Sequence, residues 1–397
     1  MPVSLILSWA EMLLRWAHVI SGIAWIGSSF YFIALDAGLA PAPHLEAGVK
    51  GESWQVHGGG FYRMQKYLVA PSFMPAELTW FKWEAYTTWI FGFSLLVLVY
   101  FFHPTLYLID PSVAPLSPAA AVAIAALSLA AGWIVYDLLC RSVIGRDRRL
   151  LAAAGFLLLV AAAWGYTHLF SGRGAYIEIG ALVGSIMVGN VFFVIIPNQK
   201  IVVADLLAGR TPADHLGDQA KQRSLHNNYL TLPVVFVMLS NHYAFTYGSR
   251  YNWIILAAVF VASFFIRHYF NTMHAGLQPD WRLWPAAAVP LLGAFALTLA
   301  TQAPAPAVGA APVPFARVAQ ILHQRCGVCH AARPTYPGIA AAPLGVMFDT
   351  RAEILANASR VEAMAVATHT MPLGNVTHIT PAERATLGAW IAAGAKP

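Results

Sequence analysis

The sequence predicts an all-α fold in which eight helices span a membrane and a small helical domain follows them. Two observations lead to this prediction. The 397 residues are 58% hydrophobic and only 11% charged, whereas soluble domains carry about 25% charged residues. Eight stretches are also apolar enough to cross the hydrocarbon core as helices, which takes about 20 residues. They are residues 5–35, 79–102, 118–139, 150–168, 176–196, 226–246, 252–272 and 283–301.

The distribution of lysine and arginine predicts the orientation of these helices. The loop at 141–149 holds four arginines, and the other loops after odd-numbered stretches are basic too. Loops after even-numbered stretches contain only Arg173 and Arg250 before the C-terminal region. Because basic loops remain in the cytoplasm, we expect the N-terminus and the C-terminal region to lie on the periplasmic side of a bacterial cytoplasmic (inner) membrane. The net charge of +6 is thus a topology signal, and we predict no nucleic-acid partner.

A proline-rich segment divides the chain. "TQAPAPAVGAAPVP", residues 301–314, has four prolines, which cannot donate backbone hydrogen bonds and favour an extended, semi-rigid tether. We therefore predict a transmembrane bundle at 1–301, a Pro/Ala linker at 302–314 and a separate domain at 315–397.

The separate domain carries the pattern Cys-Gly-Val-Cys-His, with Cys326, Cys329 and His330. Two thiols three residues apart can bond to the two vinyl groups of one porphyrin, and the histidine then lies under the iron. The pattern is therefore that of c-type haem attachment. A C-x-x-C pair alone would also suit a redox pair or half of a zinc site, but the chain has no second such pair. We expect Met371, in "THTMPLGNVT", to be the second ligand of the haem iron. The rival ligands are Met347, Met364, His369 and His378.

Two predicted helices flank this haem site. "FARVAQILHQR" has apolar residues at helical spacing. "TPAERATLGAWIAAGA" begins with Thr380 as the N-cap, Pro381 in the first position and Glu383 in the third, which predicts a capped helix start. Two terminal helices against one haem resemble a class I cytochrome c domain. A methionine opposite a histidine raises the reduction potential, which suits an electron carrier that feeds a terminal oxidase.

Polar side chains within or beside the membrane helices are functional candidates, because they are costly in lipid. Arg15 and His18 lie in the first stretch, and His18 suits a haem ligand, a metal ligand or a hydrogen bond between helices. His57 lies in "ESWQVHGGGFYRMQKY", whose three glycines would let the backbone approach a ligand closely. The other candidates lie in "KQRSLHNNYLTLP" and "FFIRHYFN" and are His226, Arg267 and His268. Arg15 and His18 lie near mid-membrane, whereas we expect His57, His226, Arg267 and His268 to belong to a pocket on the cytoplasmic side for a planar, anionic substrate.

Five longer runs carry a family resemblance. They are "HVISGIAWIGSSFYFIALD", "WQVHGGGFYRMQKYLVAP", "LTWFKWEAYTTW", "GNVFFVIIPNQKIVVADLLAGR" and "AKQRSLHNNYLTLPVVFVMLSNHY". Together they resemble the bacterial membrane-bound urate oxidase (urate hydroxylase) family, whose layout is likewise eight spans followed by a cytochrome c domain. The resemblance implies oxidation of urate to 5-hydroxyisourate in purine degradation. It also implies that the electrons leave through haem c, by way of a partner cytochrome, to the respiratory chain and not directly to dioxygen. The resemblance does not identify the catalytic residues.

The chemistry of urate adds two expectations. Urate is a planar monoanion, which arginine and amide side chains suit. Because its electrons must cross from the cytoplasmic side to a one-electron haem, we also expect a second redox centre, a haem b on His18 with His242 as a candidate partner. Urate binding on the outer side, where His103, His168 and His242 gather by topology, stays open.

Two other functions were weighed against the enzyme. An electron-transfer subunit would carry electrons from quinol or another dehydrogenase to a terminal oxidase, but no helix has a clean pair of histidines. A solute or metal carrier fused to a cytochrome would have broken helices in matching halves, and the sequence shows no such symmetry. The sequence therefore favours a cytochrome-linked oxidoreductase in the membrane.

Overall fold

The computed structural model describes residues 3–75, 77–300 and 313–396. It is mostly helical, as the sequence predicts. In chain order the longer helices before the linker are α1 (Val3–Ala37), α2 (Trp83–Leu95), α3 (Pro118–Arg141), α4 (Arg148–Leu169), α5 (Gly172–Gly189), α6 (Ile196–Leu207), α7 (Asp214–Ser240), α8 (Asn252–His274) and α9 (Leu283–Ala300). One-turn helices lie between them at Pro104–Tyr107, Val143–Arg146 and Ala244–Tyr247.

Two of these helices contain wider π turns. Leu96–Phe101 continues α2, and Asn190–Ile195 joins α5 to α6, so that one helix runs from Gly172 to Leu207. The fifth stretch predicted from the sequence, 176–196, is therefore part of a longer helix. Single π turns inside α-helices are frequent at functional sites, and the second one begins at a buried asparagine, Asn190.

Seven described helices are long and apolar enough to cross a membrane: Leu5–Ala37, Trp83–Phe101, Pro118–Arg141, Arg148–Leu169, Gly172–Leu207, Asn252–His274 and Leu283–Ala300. The chain is thus consistent with a multi-pass membrane protein. The sixth predicted stretch, 226–246, lies largely on α7, whose first half is polar ("DHLGDQAKQRSLHNN"). That polar half keeps α7 outside the set of seven.

Helix α7 nevertheless runs from one end of the bundle to the other. Near its start, Gln222 Nε2 donates to the Gly145 carbonyl (3.0 Å) in the loop after α3. Just past its last residue, Asn241 Oδ1 accepts from Arg173 Nε (3.1 Å), close to the start of α5. We call the first end, which holds the loops 142–147, 208–213 and 275–282, the basic end. The opposite end, with the loops 103–117 and 241–251, is called the docking end.

A β-hairpin between α1 and α2 departs from the all-α prediction. Strands β1 (Val49–His57) and β2 (Gly60–Tyr67) pair antiparallel. Gly58 and Gly59 form the turn between them with φ of 61° and 79°, and a two-residue turn with both φ values positive favours glycine. The glycines therefore serve the hairpin turn and not a ligand-binding loop. Apolar and aromatic residues on both sides of Gly-Gly are a hairpin pattern, which the sequence analysis missed.

The C-terminal region has its own hydrophobic core. Its longer helices are α10 (Phe315–Arg325), α11 (Arg351–Ala356) and α12 (Pro381–Ala392), and shorter helical segments lie at Pro343–Gly345, Ala358–Val361, Glu362–Ala367 and Leu373–Asn375. The core side chains from α10 and α12 include Val318, Ile321, Leu322, Leu387 and Trp390. The two predicted helices are thus confirmed, and they pack against each other.

The predicted start of α12 is also confirmed. Thr380 Oγ1 accepts from the Glu383 amide (3.2 Å), and Glu383 Oε2 accepts from the Thr380 amide (2.8 Å). Pro381 is the first helical residue. This reciprocal capping box satisfies two backbone donors that a helix start would otherwise leave unpaired.

The C-terminal region packs on the docking end of the bundle. Gly374 lies so close to the Thr105 carbonyl that a Cβ atom there would come within 2.2 Å of the oxygen. Gly248 faces Thr368 in the same way, and Met364 packs against the hydrophobic core of the bundle. The Pro/Ala linker predicted at 302–314 lies outside the described residues except for its last two.

Candidate functional site

The first half of α7 places polar residues, in "KQRSLHNN", inside the bundle. Arg223, Asn227 and Asn228 are all buried there. Buried polar groups are stable only when they are hydrogen-bonded. The partners of these side chains therefore show which of them are structural and which have bonding capacity to spare.

Arg223 is neutralised within the protein. Its Nη2 lies 2.7 Å from Asp137 Oδ1 on α3, and its Nη1 donates to Asn190 Oδ1 (3.3 Å). The guanidinium carbon lies 5.0 Å from the centre of the Tyr136 ring. Its Nε has no hydrogen-bond partner among the described residues, and Asp137 also pairs with the exposed Arg141. Asp137 nevertheless gives the buried guanidinium of Arg223 a carboxylate partner inside the protein.

His226, one of the predicted site residues, belongs to the same network. Its Nδ1 lies 2.6 Å from the Tyr136 hydroxyl, and Asn190 Nδ2 donates to that hydroxyl (3.2 Å) and to Asn227 Oδ1 (3.0 Å). Asn227 Nδ2 in turn donates to the Met187 carbonyl (2.9 Å). The network ties α3, α5 and α7 together, so His226 has a structural partner already.

Arg267 on α8 differs from Arg223. Its side chain is buried, and its Nη2 donates to Asn228 Oδ1 (3.0 Å) and Asn271 Oδ1 (2.8 Å). Its Cζ lies 3.9 Å from the centre of the Phe30 ring. Within the described ranges it makes no ion pair, and the Asn228 amide nitrogen is buried without a hydrogen-bond partner. We call this group, Arg267 with Asn228, Asn271 and Phe30, the Arg267 cluster. It has a positive charge without a carboxylate partner and one unused hydrogen-bond donor.

The other predicted site residues lie apart from this cluster. His268 follows Arg267 but is exposed, with its Nδ1 2.9 Å from the Tyr229 hydroxyl. His57 is exposed at the hairpin turn. Arg15 is exposed on α1 and pairs with Glu11. The structure therefore brings Arg267 and the α7 amides together, and it places His57, His268 and Arg15 outside that group.

His18 lies in the middle of α1 against α2. Its Nδ1 lies 2.8 Å from the Thr88 carbonyl, and its ring occupies the space that a Cβ on Gly92 would fill, 2.6 Å from Cε1. A histidine whose Nδ1 proton is held by a carbonyl keeps Nε2 as a lone-pair donor for iron. His242, its predicted partner, is exposed in the turn after α7 and contacts the Leu239 carbonyl (3.3 Å). No described contact joins the two histidines.

The Cys-x-x-Cys-His segment forms a tight turn directly after α10. The amides of Cys329 and His330 both donate to the Cys326 carbonyl, at 3.1 and 2.9 Å. His330 Nδ1 lies 3.0 Å from the Val346 carbonyl, which again leaves Nε2 for a metal. Burial raises the pKa of the Cys326 thiol to about 12, the direction expected for a cysteine in apolar surroundings. These features fit a covalently attached haem with His330 as an iron ligand.

Met371 lies in the extended segment before α12, as predicted. Its carbonyl accepts from Arg384 Nη1 (2.8 Å), and its amide donates to the Met364 carbonyl (2.9 Å). These bonds hold the backbone of Met371 between α12 and the segment Glu362–Ala367. In the described part of the chain, no three His, Cys, Asp or Glu side chains converge as a metal site. Met371 and His330 are thus both held by backbone carbonyl or amide contacts to neighbouring segments.

Sequence reasoning missed two buried acids. Asp137, the partner of Arg223, was read as part of an apolar stretch. Glu178 on α5 is fully buried, and neither of its carboxyl oxygens has a hydrogen-bond partner among the described residues. Both residues lie within predicted spans. The signal in the sequence is a single acidic residue inside an otherwise apolar stretch, which is costly in lipid.

A comparison with protein families identifies the bundle. The family model described as Urate oxidase N-terminal matches residues 4–300, which is about three quarters of the chain. No curated protein and no solved structure matches it. The matched region contains Arg267, His18 and the α7 amides but ends before Cys326. On this match the chain belongs to the Urate oxidase N-terminal family, which indicates a urate-related oxidoreductase.

Proposed function

We propose that this chain is a membrane-bound urate oxidase that converts urate to 5-hydroxyisourate and passes the electrons to a haem c on its C-terminal domain. The reaction adds one water to urate and releases two protons and two electrons. Residues 1–301 would form the urate-oxidising bundle and 315–397 the cytochrome c domain. A partner cytochrome and a terminal oxidase of the bacterial inner membrane would accept the electrons, and both the N-terminus and the haem domain would face the periplasm.

The observation that carries the proposal is the unpaired charge of Arg267 inside a urate oxidase family domain. A buried guanidinium without a carboxylate is costly, because desolvation is not repaid. A bound monoanion would supply the missing charge. The Asn228 amide nitrogen, which has no hydrogen-bond partner among the described residues, offers a donor to a C=O group at the edge of urate.

We include a second redox centre because the Arg267 cluster lies far along α1 from the C-terminal domain. Phe30, which contacts Arg267, and His18 are twelve residues apart on α1, or about 18 Å along the helix. Glu11, which lies close enough to Tyr107 at the docking end to affect it electrostatically, is about 10 Å further along. His18 thus lies between the Arg267 cluster and the C-terminal domain, and its free Nε2 suits a haem b.

The C-terminal residues would hold haem c as follows. Cys326 and Cys329 would attach the porphyrin, and His330 Nε2 and Met371 would be the protein ligands of the iron. When bound, this haem would supply one-electron transfer. Arg384 and the Val346 carbonyl fix Met371 and His330 in place, so the chain itself sets the geometry of both ligands.

Replacing Arg267 tests the substrate site. Hydrogen bonds to charged groups contribute about 1.5–3 kcal/mol, so Arg267→Gln should lower kcat/KM for urate by about 10- to 150-fold. Arg267→Lys keeps the charge and should lose less. Arg282→Gln is a matched control, because Arg282 lies at the same end of the bundle but is exposed beside Asp280. A folded Arg267→Gln variant with the wild-type kcat/KM would refute this site.

A further inference from the structure

A second arginine without a carboxylate lies at the docking end of the bundle. Arg173, the second residue of α5, donates through Nε to Asn241 Oδ1 (3.1 Å) and the Tyr100 hydroxyl (3.3 Å). Its Cζ lies 5.1 Å from the centre of the Tyr107 ring. All three partners are neutral, and Arg173 makes no ion pair with any carboxylate in the described ranges.

The surroundings of Arg173 increase its positive potential. It lies in the first turn of α5, where the helix dipole is positive and where Ser171 Oγ caps the Gly174 amide (3.0 Å). It is also half-buried. A cation in such a place is stabilised by an anion, and no described carboxylate forms an ion pair with it.

The segment that carries Met371 packs beside this arginine. Gly374, three residues after Met371, lies against the Thr105 carbonyl in the one-turn helix Pro104–Tyr107. Arg173 lies over the ring of Tyr107 in the same one-turn helix. A haem held by Met371 would therefore lie near the seam between the bundle and the C-terminal region that contains Arg173.

We propose that Arg173 binds a carboxylate of the haem attached at Cys326 and Cys329, and so joins the bundle to the haem across the seam. This inference rests on the haem c of the proposed function. A c-type haem carries two propionates, which are the organic anions that such an attachment would bring to this place. Asn241 and Tyr100 position the guanidinium for them through its Nε, which leaves both Nη groups for the carboxylate.

The contact would also affect the electron flow. A propionate stabilises ferric haem by its negative charge, and a paired arginine cancels that effect. Arg173 would therefore raise the potential of the haem that faces the bundle, which favours electron transfer from the bundle to the haem. Arg173 would thus position the haem and raise its reduction potential without touching the reacting atoms.

A redox titration of the purified full-length protein tests the inference. Arg173→Gln should lower the midpoint potential of haem c by about 59 mV, which is a tenfold change in the ratio of reduced to oxidised haem. Arg173→Lys should shift it less. Arg250→Gln is the control, because Arg250 lies at the same end over the Tyr251 ring (4.6 Å) and should leave the potential unchanged.

Each other outcome refutes a different statement. An unchanged potential in Arg173→Gln refutes the inference, and if KM for urate rises at the same time, the anion at Arg173 is the substrate. An equal shift in Arg250→Gln also refutes it, because the effect would then be one of general surface charge. Wild-type protein that contains no haem c would refute the proposed function itself, before any variant is compared.

Discussion

The ion pair between Asp137 and Arg223 makes a quantitative prediction about what holds the bundle together. The side chains are 11% and 3% exposed, and their atoms lie 2.7 Å apart. Asp137→Asn keeps the shape but leaves Arg223 charged and buried. Arg223 then has only neutral acceptors: the amide oxygen of the new side chain, Asn190 Oδ1 at 3.3 Å and the backbone carbonyl of residue 137 at 3.4 Å. Breaking a buried pair in this way costs about 3–5 kcal/mol.

The measurement is reversible unfolding in mixed micelles, followed by circular dichroism. Arg141 also pairs with Asp137, at 2.7 Å, but its side chain is 63% exposed, so Arg141→Gln should cost less than about 1 kcal/mol. The double variant Asp137→Leu with Arg223→Met should be close to wild type, because no buried charge is left unpaired and Arg141 is exposed to solvent. The reasoning is refuted if Asp137→Asn costs less than about 1 kcal/mol, or if the double variant costs the sum of the two single ones.

Three further predictions concern other parts of the chain. Burial opposes ionisation of Glu52, but hydrogen bonds from Trp54, Arg63 and His44 outweigh it and lower its pKa from 4.5 to about 2. The hairpin should therefore lose stability as the pH falls from about 4.5 to about 2. Amide hydrogen exchange would show this loss, and its persistence in Glu52→Gln would contradict the assignment. Thr380→Ala removes an N-cap and should destabilise the C-terminal domain by about 1 kcal/mol in thermal unfolding, whereas no change would argue against the cap. Gly374→Ala should loosen the domain from the bundle, because its Cβ would meet the Thr105 carbonyl at 2.2 Å, and unchanged protease sensitivity of the linker would contradict this.

The helices were predictable from the sequence because their signals are local. A run of apolar residues must become a helix in lipid, since every backbone group has to be bonded internally. The start of α12 was predictable for a similar reason, because a capping box involves residues only three positions apart. The end of the fifth span was not predictable in this way. Helix α6 extends it with a segment of mixed polarity, which a search for apolar runs does not include.

The hairpin and the pairing of charges show the limits of local signals. The composition around Gly58 and Gly59 is that of a glycine-rich ligand loop, and only the pairing of β1 with β2 shows that these glycines form a hairpin turn. Arg223 and Arg267 look alike in the sequence. Only the fold shows that Asp137, 86 positions away from Arg223, neutralises the first arginine while the second has only amides. Which arginine is structural is therefore a property of packing.

The most direct test of the central claim is the anaerobic addition of urate to the purified protein while the absorbance of haem c is recorded. We predict that urate reduces the haem without oxygen, with two electrons delivered for each 5-hydroxyisourate formed, and that replacing Cys326 and Cys329 by alanine abolishes the signal while the bundle stays folded. If the haem remains oxidised under excess urate but is reduced by dithionite, the bundle does not pass urate electrons to the C-terminal domain, and the account is contradicted.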